Sequence, residues 1–174
     1  MIRSMKVTLE TDRLLLRPFT IDDAEAVFEF GSNREVQKLT GDPLLQSLDE
    51  ATNMIEEVWY EDYKTYGYGR FATIFKPDNK IIGFAGLKFL PELDETDIGF
   101  RFLPEYWGMG LATEASEEIL KFGFETLGIQ RIIGIAMPEN MASRRVLEKI
   151  GLQWYKDGPY LDDGGSYKWY KLEK

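Results

Sequence analysis

Apolar residues recur along the chain with two different spacings, and the change between them predicts where strands and helices lie. Residues 13–19 predict a first strand that ends near Pro18, because proline cannot donate a hydrogen bond to a sheet. Thr20 with Asp23 is typical of a capping box, and apolar residues at helical spacing follow it. Ser47 predicts the start of a second helix with one apolar face. Three further strands are predicted at residues 69–75, 81–90 and 96–103.

The second half of the chain carries the pattern of one βαβ unit. After the strand at residues 96–103 comes a glycine-rich turn, then a helix from about Leu111 and a strand from Arg131 to Met137. Strands on either side of such a helix are parallel neighbours with a right-handed crossover. The remaining predicted elements are a helix over about Met141–Ile150, capped by Gly151, and two strands at residues 152–157 and 166–172.

This order of elements predicts an α+β fold. We expect a mixed, largely antiparallel central sheet with one parallel βαβ crossover and helices on both faces. The length of 174 residues is that of one domain, which we expect to span residues 1–174.

Composition narrows the chemistry. The sequence has no cysteine and no histidine, which excludes thiol nucleophiles, Ser-His-Asp triads and the usual ligands of zinc, haem and iron–sulfur clusters. We therefore expect no metal site. The formal net charge is −9, and no cluster of lysine and arginine offsets it, so no nucleic-acid partner is expected. Local backbone dipoles would have to hold any anionic cofactor.

Hydropathy gives an expectation about location. No stretch approaches the ~18 apolar residues of a membrane-spanning helix, and Met1–Thr11 lacks the apolar run of about 7–15 residues found in signal peptides. We expect a cytoplasmic protein with no membrane partner.

The most informative stretch is residues 104–115, between a predicted strand and a predicted helix. Gly108 and Gly110 allow unusual backbone angles, and their amides, together with the helix start, form a pocket suited to an anion. A tight turn that binds nothing remains an alternative. A dinucleotide-binding site is another alternative, because Glu139 follows the next strand as the acidic residue of that motif does. That motif, however, requires Gly or Ala where Thr113 stands, and its fold requires several successive βαβ units.

Taken together, the motifs resemble the GNAT superfamily of acetyl-CoA-dependent N-acetyltransferases, and within it the ribosomal-protein alanine N-acetyltransferase branch. Trp107 departs from the wider superfamily, which has Gln or Arg there, but is usual in this branch. The segments that carry the resemblance are Thr11–Pro18, Gly83–Leu87, Asp97–Phe100, Tyr106–Ala115 and Asn140–Gly151.

The resemblance implies a site for acetyl-CoA where the strands at residues 96–103 and 131–137 separate. The pantetheine arm would pair with the first of these strands like an added strand, and Asn140 would contact it. A strand amide near Phe102 or Leu103 would hold the oxyanion. Arg144, Arg145 or Lys149 are candidates for the ribose phosphate. The pyrophosphate would lie on the amides of Met109, Gly110, Leu111, Ala112 and Thr113.

The implied reaction is direct attack of a primary amine on the thioester, with both substrates bound. Such an amine must lose a proton, and without histidine a carboxylate, Tyr, Ser or ordered water must accept it. By resemblance, the base is Asp97, which stands at the strand position of the family's glutamate, with Glu105, Glu139 or a water chain still open. By resemblance, Ser143 assists the leaving thiolate. The alternatives are a solvated Asp97 at a strand edge and a Ser143 that only hydrogen-bonds at the start of its helix.

The acceptor predicted from the branch is the α-amine of a peptide or protein N-terminus, with a small-molecule amine or a non-catalytic acyl-CoA-binding module as alternatives. Its pocket is expected in the loops at about Asn33–Leu45 and Asp157–Ser166. The protein is expected to be a monomer or a homodimer.

Overall fold

Eight strands form one sheet in the computed structural model, which describes residues 6–174. The spatial order is β1-β2-β3-β4-β5-β6-β8-β7, and every neighbouring pair is antiparallel except β5 and β6. This confirms the predicted fold class. Part of the segment Met1–Thr11, on which the signal-peptide expectation rests, lies outside the described residues. The strands are β1 Leu9–Glu10, β2 Leu14–Pro18, β3 Arg70–Phe75, β4 Lys80–Leu90, β5 Glu95–Phe102, β6 Arg131–Ala136, β7 Gln153–Gly158 and β8 Tyr167–Glu173.

The helices follow the predicted capping signals. The Ser47 hydroxyl accepts a hydrogen bond from the Glu50 amide, and the helix that begins there continues without a break to Tyr66, through a π-helical stretch. Gly67 ends it with a φ of 76°. The helices are α1 Ala24–Gly31, α2 Arg34–Gln37, α3 Leu48–Asn53, the π-helical Met54–Trp59, α4 Tyr60–Tyr66, α5 Leu111–Lys121, the π-helical Phe122–Thr126 and α6 Met141–Lys149.

Helices cover both faces of the sheet. On one face α1 and the π-helical stretch pack on β4, with the Trp59 and Phe84 rings 6.1 Å apart. On the other face the segment after α5 packs on β3, with the Phe71 and Phe122 rings 5.9 Å apart. Within the described part of the chain, no helix is both long and apolar enough to cross a membrane.

The parallel pair β5–β6 positions the site. Within residues 6–174 the two strands are in register at one pair, Asp97 and Ile133. By contrast, β6 pairs with β8 along its whole length, from Arg131 opposite Glu173 to Ala136 opposite Lys168. The C-terminal ends of β5 and β6 are therefore separate, and the sheet has a gap at the level where β5 leads into the glycine-rich turn and β6 leads into α6.

Candidate active site

Two cavities open at this gap. The first, which we call the loop cavity, has a volume of about 480 Å³ and lies against the glycine-rich turn and α6. The second, the inner chamber, has a volume of about 460 Å³ and extends beneath α1 and the π-helical stretch. Each has the size of a small-molecule site. The residues that line both cavities are Leu39, Thr40, Phe100, Arg101, Asn140 and Ser143.

Backbone amides form one end of the loop cavity. Gly108 and Gly110 have φ values of 73° and 78°, the left-handed region that favours glycine. The first hydrogen bond of α5 runs from the Glu114 amide to the Gly110 carbonyl at 3.1 Å, and no side chain caps the helix. The amides of Leu111, Ala112 and Thr113 are therefore free of intrahelical partners, and these residues line the cavity. This arrangement suits an anion.

Met109 contributes differently from the prediction. It does not line the loop cavity, and its side chain is exposed. Its carbonyl oxygen instead accepts a hydrogen bond from Arg13 Nη1 at 2.9 Å. Met109 therefore ties the turn to the start of β2.

A second tie to β2 was not foreseen from the sequence. Both carboxylate oxygens of Glu114, in the first turn of α5, accept hydrogen bonds: from the Thr11 hydroxyl at 2.6 Å and from Arg13 Nε at 2.7 Å. Burial alone would raise the pKa of Glu114, but these bonds and the Arg13 amide lower it overall. The carboxylate is thus kept charged and paired with a cation, close to the amides suited to an anion.

At Phe102 the backbone of β5 is exposed to the gap between β5 and β6. The Leu103 amide donates to the Ile82 carbonyl of β4 at 2.8 Å, and its side chain is buried, so it is not available as an oxyanion donor. That part of the prediction is wrong. Because peptide groups alternate along an antiparallel pair, the Phe102 amide points away from β4, towards the gap. Its carbonyl accepts the Trp107 indole N–H at 2.7 Å.

Asn140 and Ser143 lie at the start of α6, on the wall between the cavities. The Asn140 side-chain oxygen accepts a hydrogen bond from the Ser143 amide at 3.2 Å, and its amide nitrogen donates to the Leu39 carbonyl at 3.4 Å. Asn140, rather than the Ser143 hydroxyl, therefore caps the helix. The Ser143 hydroxyl therefore does not cap α6, which contradicts the capping alternative, and Ser143 lines both cavities.

The basic residues of α6 divide between two faces. Arg145 and Lys149 line the loop cavity, whereas Arg144 turns away from it. The Arg144 guanidinium donates to the Tyr170 hydroxyl at 3.0 Å and to the Pro138 carbonyl at 2.9 Å. Of the three candidates for a phosphate, only Arg145 and Lys149 thus reach the cavity.

Asp97 lies in the wall of the inner chamber, where β5 and β6 separate. It is 8% exposed, which excludes a solvated residue at a strand edge. Its carboxylate accepts a hydrogen bond from Arg70 Nη2 at 2.8 Å. Burial raises the pKa of Asp97 above its usual range, and the positive charges of Arg70 and Lys88 oppose that rise without cancelling it. The competing candidates Glu105 and Glu139 line neither cavity.

Two glycines allow Arg70 to reach Asp97. Gly86 of β4 pairs with Arg70 on one side and with Gly99 of β5 on the other, so the sheet surface between them is bare. A Cβ on Gly99 would lie 2.6 Å from Arg70 Nη2. The guanidinium occupies this space, and its Nη1 donates to the Gly86 carbonyl at 2.6 Å. Arg70 is the residue of this group that the sequence analysis missed.

Aromatic rings and two loops complete the inner chamber. Its apolar wall includes Phe30, Trp59 and Phe84. Both loops expected to build an acceptor pocket do line it, one through residues that include Leu39 and Pro43, the other through Tyr160 and Leu161. The loops are in contact, since a Cβ on Gly41 would overlap with Leu161 Cδ1.

A mixed sheet that separates at its parallel pair, beside a glycine-rich turn that opens a helix, agrees with the fold that the resemblance to the GNAT superfamily implies. The family profile described as "Acetyltransferase (GNAT) domain" matches residues 13–153. The chain belongs to this family and is an acetyl-transferring enzyme.

Relatives agree with this assignment. The chain is 36% identical over 149 residues to a Bacillus subtilis protein named "Uncharacterized N-acetyltransferase YoaA", covering 83% of this chain and 82% of that protein. A GNAT-family acetyltransferase from Bacillus anthracis has 28% identity and a TM-score of 0.82 over 96% of this chain and 98% of its own. The same fold, at 15% identity and a TM-score of 0.82, occurs in RimL, titled a ribosomal L7/L12 alpha-N-protein acetyltransferase in complex with coenzyme A, with 96% and 98% of the two chains covered.

Proposed function

We propose that the enzyme transfers an acetyl group from acetyl-CoA directly to a primary amine while both substrates are bound, and that its preferred acceptor is the α-amine of a peptide or protein N-terminus. The observation that carries the proposal is that the loop cavity and the inner chamber meet at Phe100, Asn140 and Ser143. A cosubstrate in one cavity and an amine in the other would therefore meet without a covalent enzyme intermediate.

The loop cavity fits acetyl-CoA, which supplies the thioester. The amides from Gly110 to Thr113 would bind the pyrophosphate, because neutral dipoles can hold an anion even in an acidic protein. The Phe102 amide, facing the gap, would pair with the pantetheine arm or hold the developing oxyanion, and Asn140 would contact the arm from α6. Arg145 and Lys149 would reach the ribose phosphate.

In this proposal Asp97 acts on the attacking amine and Ser143 acts on the leaving thiolate. Asp97, ionised and held by Arg70, accepts the proton that the amine must lose before it attacks. Ser143, on the wall between the cavities, donates a hydrogen bond from its hydroxyl to the departing thiolate, which takes up the second proton that the nitrogen loses as the amide forms. No histidine is available for either role.

The pKa of the acceptor favours an α-amine. The α-amino group has a pKa of about 8, against about 10.4 for lysine, so a carboxylate base meets a smaller barrier with the former. A net charge of −9 attracts cationic amines in general and does not discriminate between them. RimL, which shares the fold, is named as an alpha-N-protein acetyltransferase.

The test is a panel of amines assayed for release of free thiol from acetyl-CoA, with mass mapping of each product. We expect peptides with a free N-terminus and a small first residue to react faster than lysine side chains, polyamines or aminosugars. Acetylation confined to lysine ε-amines, or to an aminoglycoside, would contradict the α-amine preference. Tight acetyl-CoA binding without thiol release for any amine would favour the non-catalytic acyl-CoA-binding module.

A further inference from the structure

Three cations line the inner chamber, and they differ in how their charges are balanced. Arg70 is paired with Asp97, and Lys88 lies 3.4 Å from Asp62. Both of these carboxylates are buried, at 8% and 9% exposure. Neither can leave its cation without stranding a charge in the protein interior, which is costly. These two ion pairs are therefore permanent parts of the wall.

Arg101 is balanced by a group that can leave. Its guanidinium donates to Gln37 Oε1 at 3.0 Å and to the Asp42 carboxylate. The Asp42 side chain is 50% exposed, while that of Arg101 is only 23% exposed. Asp42 follows Gly41 in the loop that lines the chamber, so its carboxylate can rotate towards the solvent at little cost in free energy. Arg101 is less exposed and would keep its contacts with Gln37 and the Phe84 ring.

The position of Arg101 places this exchangeable charge close to the reaction. It is one of the residues common to the loop cavity and the inner chamber. Its guanidinium lies 5.4 Å from the centre of the Phe84 ring, directly opposite on β4, which holds it on the chamber face of the sheet. A flat guanidinium beside an aromatic ring is suited to a carboxylate, which it can bind through two parallel hydrogen bonds.

We propose that the acceptor amine carries a carboxylate, which Arg101 binds in place of Asp42. The inference rests on the proposed function, because it assumes that the amine enters the inner chamber. When no acceptor is bound, the Asp42 carboxylate pairs with the Arg101 guanidinium in its place. The net charge of −9 does not oppose this binding strongly, because salt screens exposed charges beyond about 8 Å at physiological ionic strength.

The experiment compares acceptors that differ only by carboxylate against carboxamide. The pairs are peptides with Asp or Asn at the first residue, peptides with Asp or Asn at the second, and a free amino acid against its amide. For each pair kcat/KM is measured by thiol release, and the Kd for CoA is measured separately in every variant. We expect the carboxylate member of at least one pair to be favoured by about 10- to 100-fold, the range of a charged hydrogen bond. The pair that responds identifies the source of the carboxylate.

Variants of Arg101 and Asp42 then test the assignment. Arg101→Gln should reduce this preference to near one. The double variant Lys88→Gln/Asp62→Asn, which removes another chamber cation together with its buried partner, should retain it. Asp42→Asn removes the competing carboxylate and should lower the KM of the favoured acceptor several-fold. An unchanged preference in Arg101→Gln, or equal rates for both members of every pair in the unmodified enzyme, would overturn the inference.

A fold defect in Arg101→Gln would leave Asp42→Asn as the decisive variant, since Asp42 is half exposed. A KM for carboxylate acceptors that does not fall in Asp42→Asn would then overturn the inference. Failure of the proposed function is a different result, namely no thiol release with any amine of either type.

Discussion

The loop cavity and the inner chamber adjoin each other but are built from different parts of the polypeptide. The loop cavity offers backbone groups, namely the amides at the start of α5 and the free edge of β5, together with side chains of α6. The inner chamber presents side chains from β3, β4, β5 and two loops. A backbone site depends on local chain geometry, so many sequences can form it and it suits a ligand common to a family. A side-chain site changes with single substitutions and suits a substrate particular to one member.

The electrostatics of the two cavities differ in the same way. At the loop cavity the anion would be held by dipoles, and the one acidic side chain in the first turn of α5, Glu114, is neutralised by Arg13. The inner chamber instead contains full charges arranged in pairs, of which Asp97 with Arg70 is the most buried. Changes in pH should therefore affect the chemistry of the inner chamber more than cosubstrate binding in the loop cavity.

The largest expected effect is that of Asp97→Asn on the pH profile of kcat/KM. Burial raises the pKa of Asp97, and a base acts only when ionised, so the rate should rise with pH through a value above the usual ~3.9 of aspartate. Asp97→Asn should abolish this acidic limb and lower kcat/KM by about 10²- to 10⁴-fold. Thiol release is measured with two amines of different pKa. The limb due to Asp97 should stay at the same pH with both amines, whereas a limb due to ionisation of the acceptor should move with the pKa of the amine.

Asp62→Asn is the matched control for Asp97. Asp62 is also buried beside a cation, and burial raises its pKa too, but it lines neither cavity. The acidic limb should persist in this variant. If Asp97→Asn also retained the limb, the base would be a water chain or another group.

Gly110→Asp should break the loop cavity while the inner chamber remains intact. Its φ of 78° strains any side chain, and a carboxylate beside the helix start would repel the pyrophosphate. We expect the Kd for acetyl-CoA to rise on the order of 100-fold, corresponding to about 2.7 kcal/mol. Calorimetry measures the affinity, and thermal unfolding monitors the fold.

Gly128→Asp provides the control for backbone strain. Gly128 has a φ of 70°, a Cβ there would meet nothing within 4 Å, and the residue lines neither cavity. It should lose a similar amount of stability and no affinity. Equal affinities in the two folded variants would contradict the assignment of the pyrophosphate to this turn.

The contrast between a cavity built from local chain geometry and one built from distant side chains also explains what the sequence could predict. The main strands and the helices α1, α3, α5 and α6 follow from apolar periodicity and capping residues, which are local signals. The two-residue β1 and the four-residue α2 are too short to show a period, and α2 depends on a cap from the Asn33 side chain. The glycine-rich turn before α5 was predictable because its glycines and its helix are contiguous in sequence.

The chamber could be predicted only in part, because its charges meet through sheet register. Asp97 was found through resemblance, but Arg70 lies 27 positions earlier and reaches it across the bare surface of Gly86 and Gly99. Arg101 and Asp42 are joined only by the folding of a loop over β5. Leu103 was misassigned because the direction of a strand amide depends on pairing with β4, which the sequence does not reveal.

Ser143→Ala should affect turnover without affecting either binding or stability. The hydroxyl is proposed to assist the thiolate in the transition state, so kcat should fall by about 10-fold with little change in the Kd of acetyl-CoA. Asn140, not Ser143, caps α6. Asn140→Ala should therefore cost about 1 kcal/mol of stability, while Ser143→Ala should leave the unfolding temperature unchanged. A destabilised Ser143→Ala enzyme with normal kcat would remove Ser143 from the chemistry.

The smallest expected effect distinguishes the two faces of α6. Arg145 lines the loop cavity, whereas the neighbouring Arg144 is held by Tyr170 and Pro138 on the other side. If Arg145 contacts the ribose phosphate, Arg145→Gln should weaken CoA about 2- to 5-fold, the range of an exposed ion pair. It should not change the affinity for dephospho-CoA, which lacks that phosphate.

Arg144→Gln should alter neither affinity, although loss of its hydrogen bonds should lower stability slightly. Calorimetry with both ligands at low and moderate salt measures these differences, since an ionic contact weakens as salt rises. Equal losses for CoA and dephospho-CoA in Arg145→Gln would place the ribose phosphate away from this helix and leave its binding to backbone groups, as for the pyrophosphate.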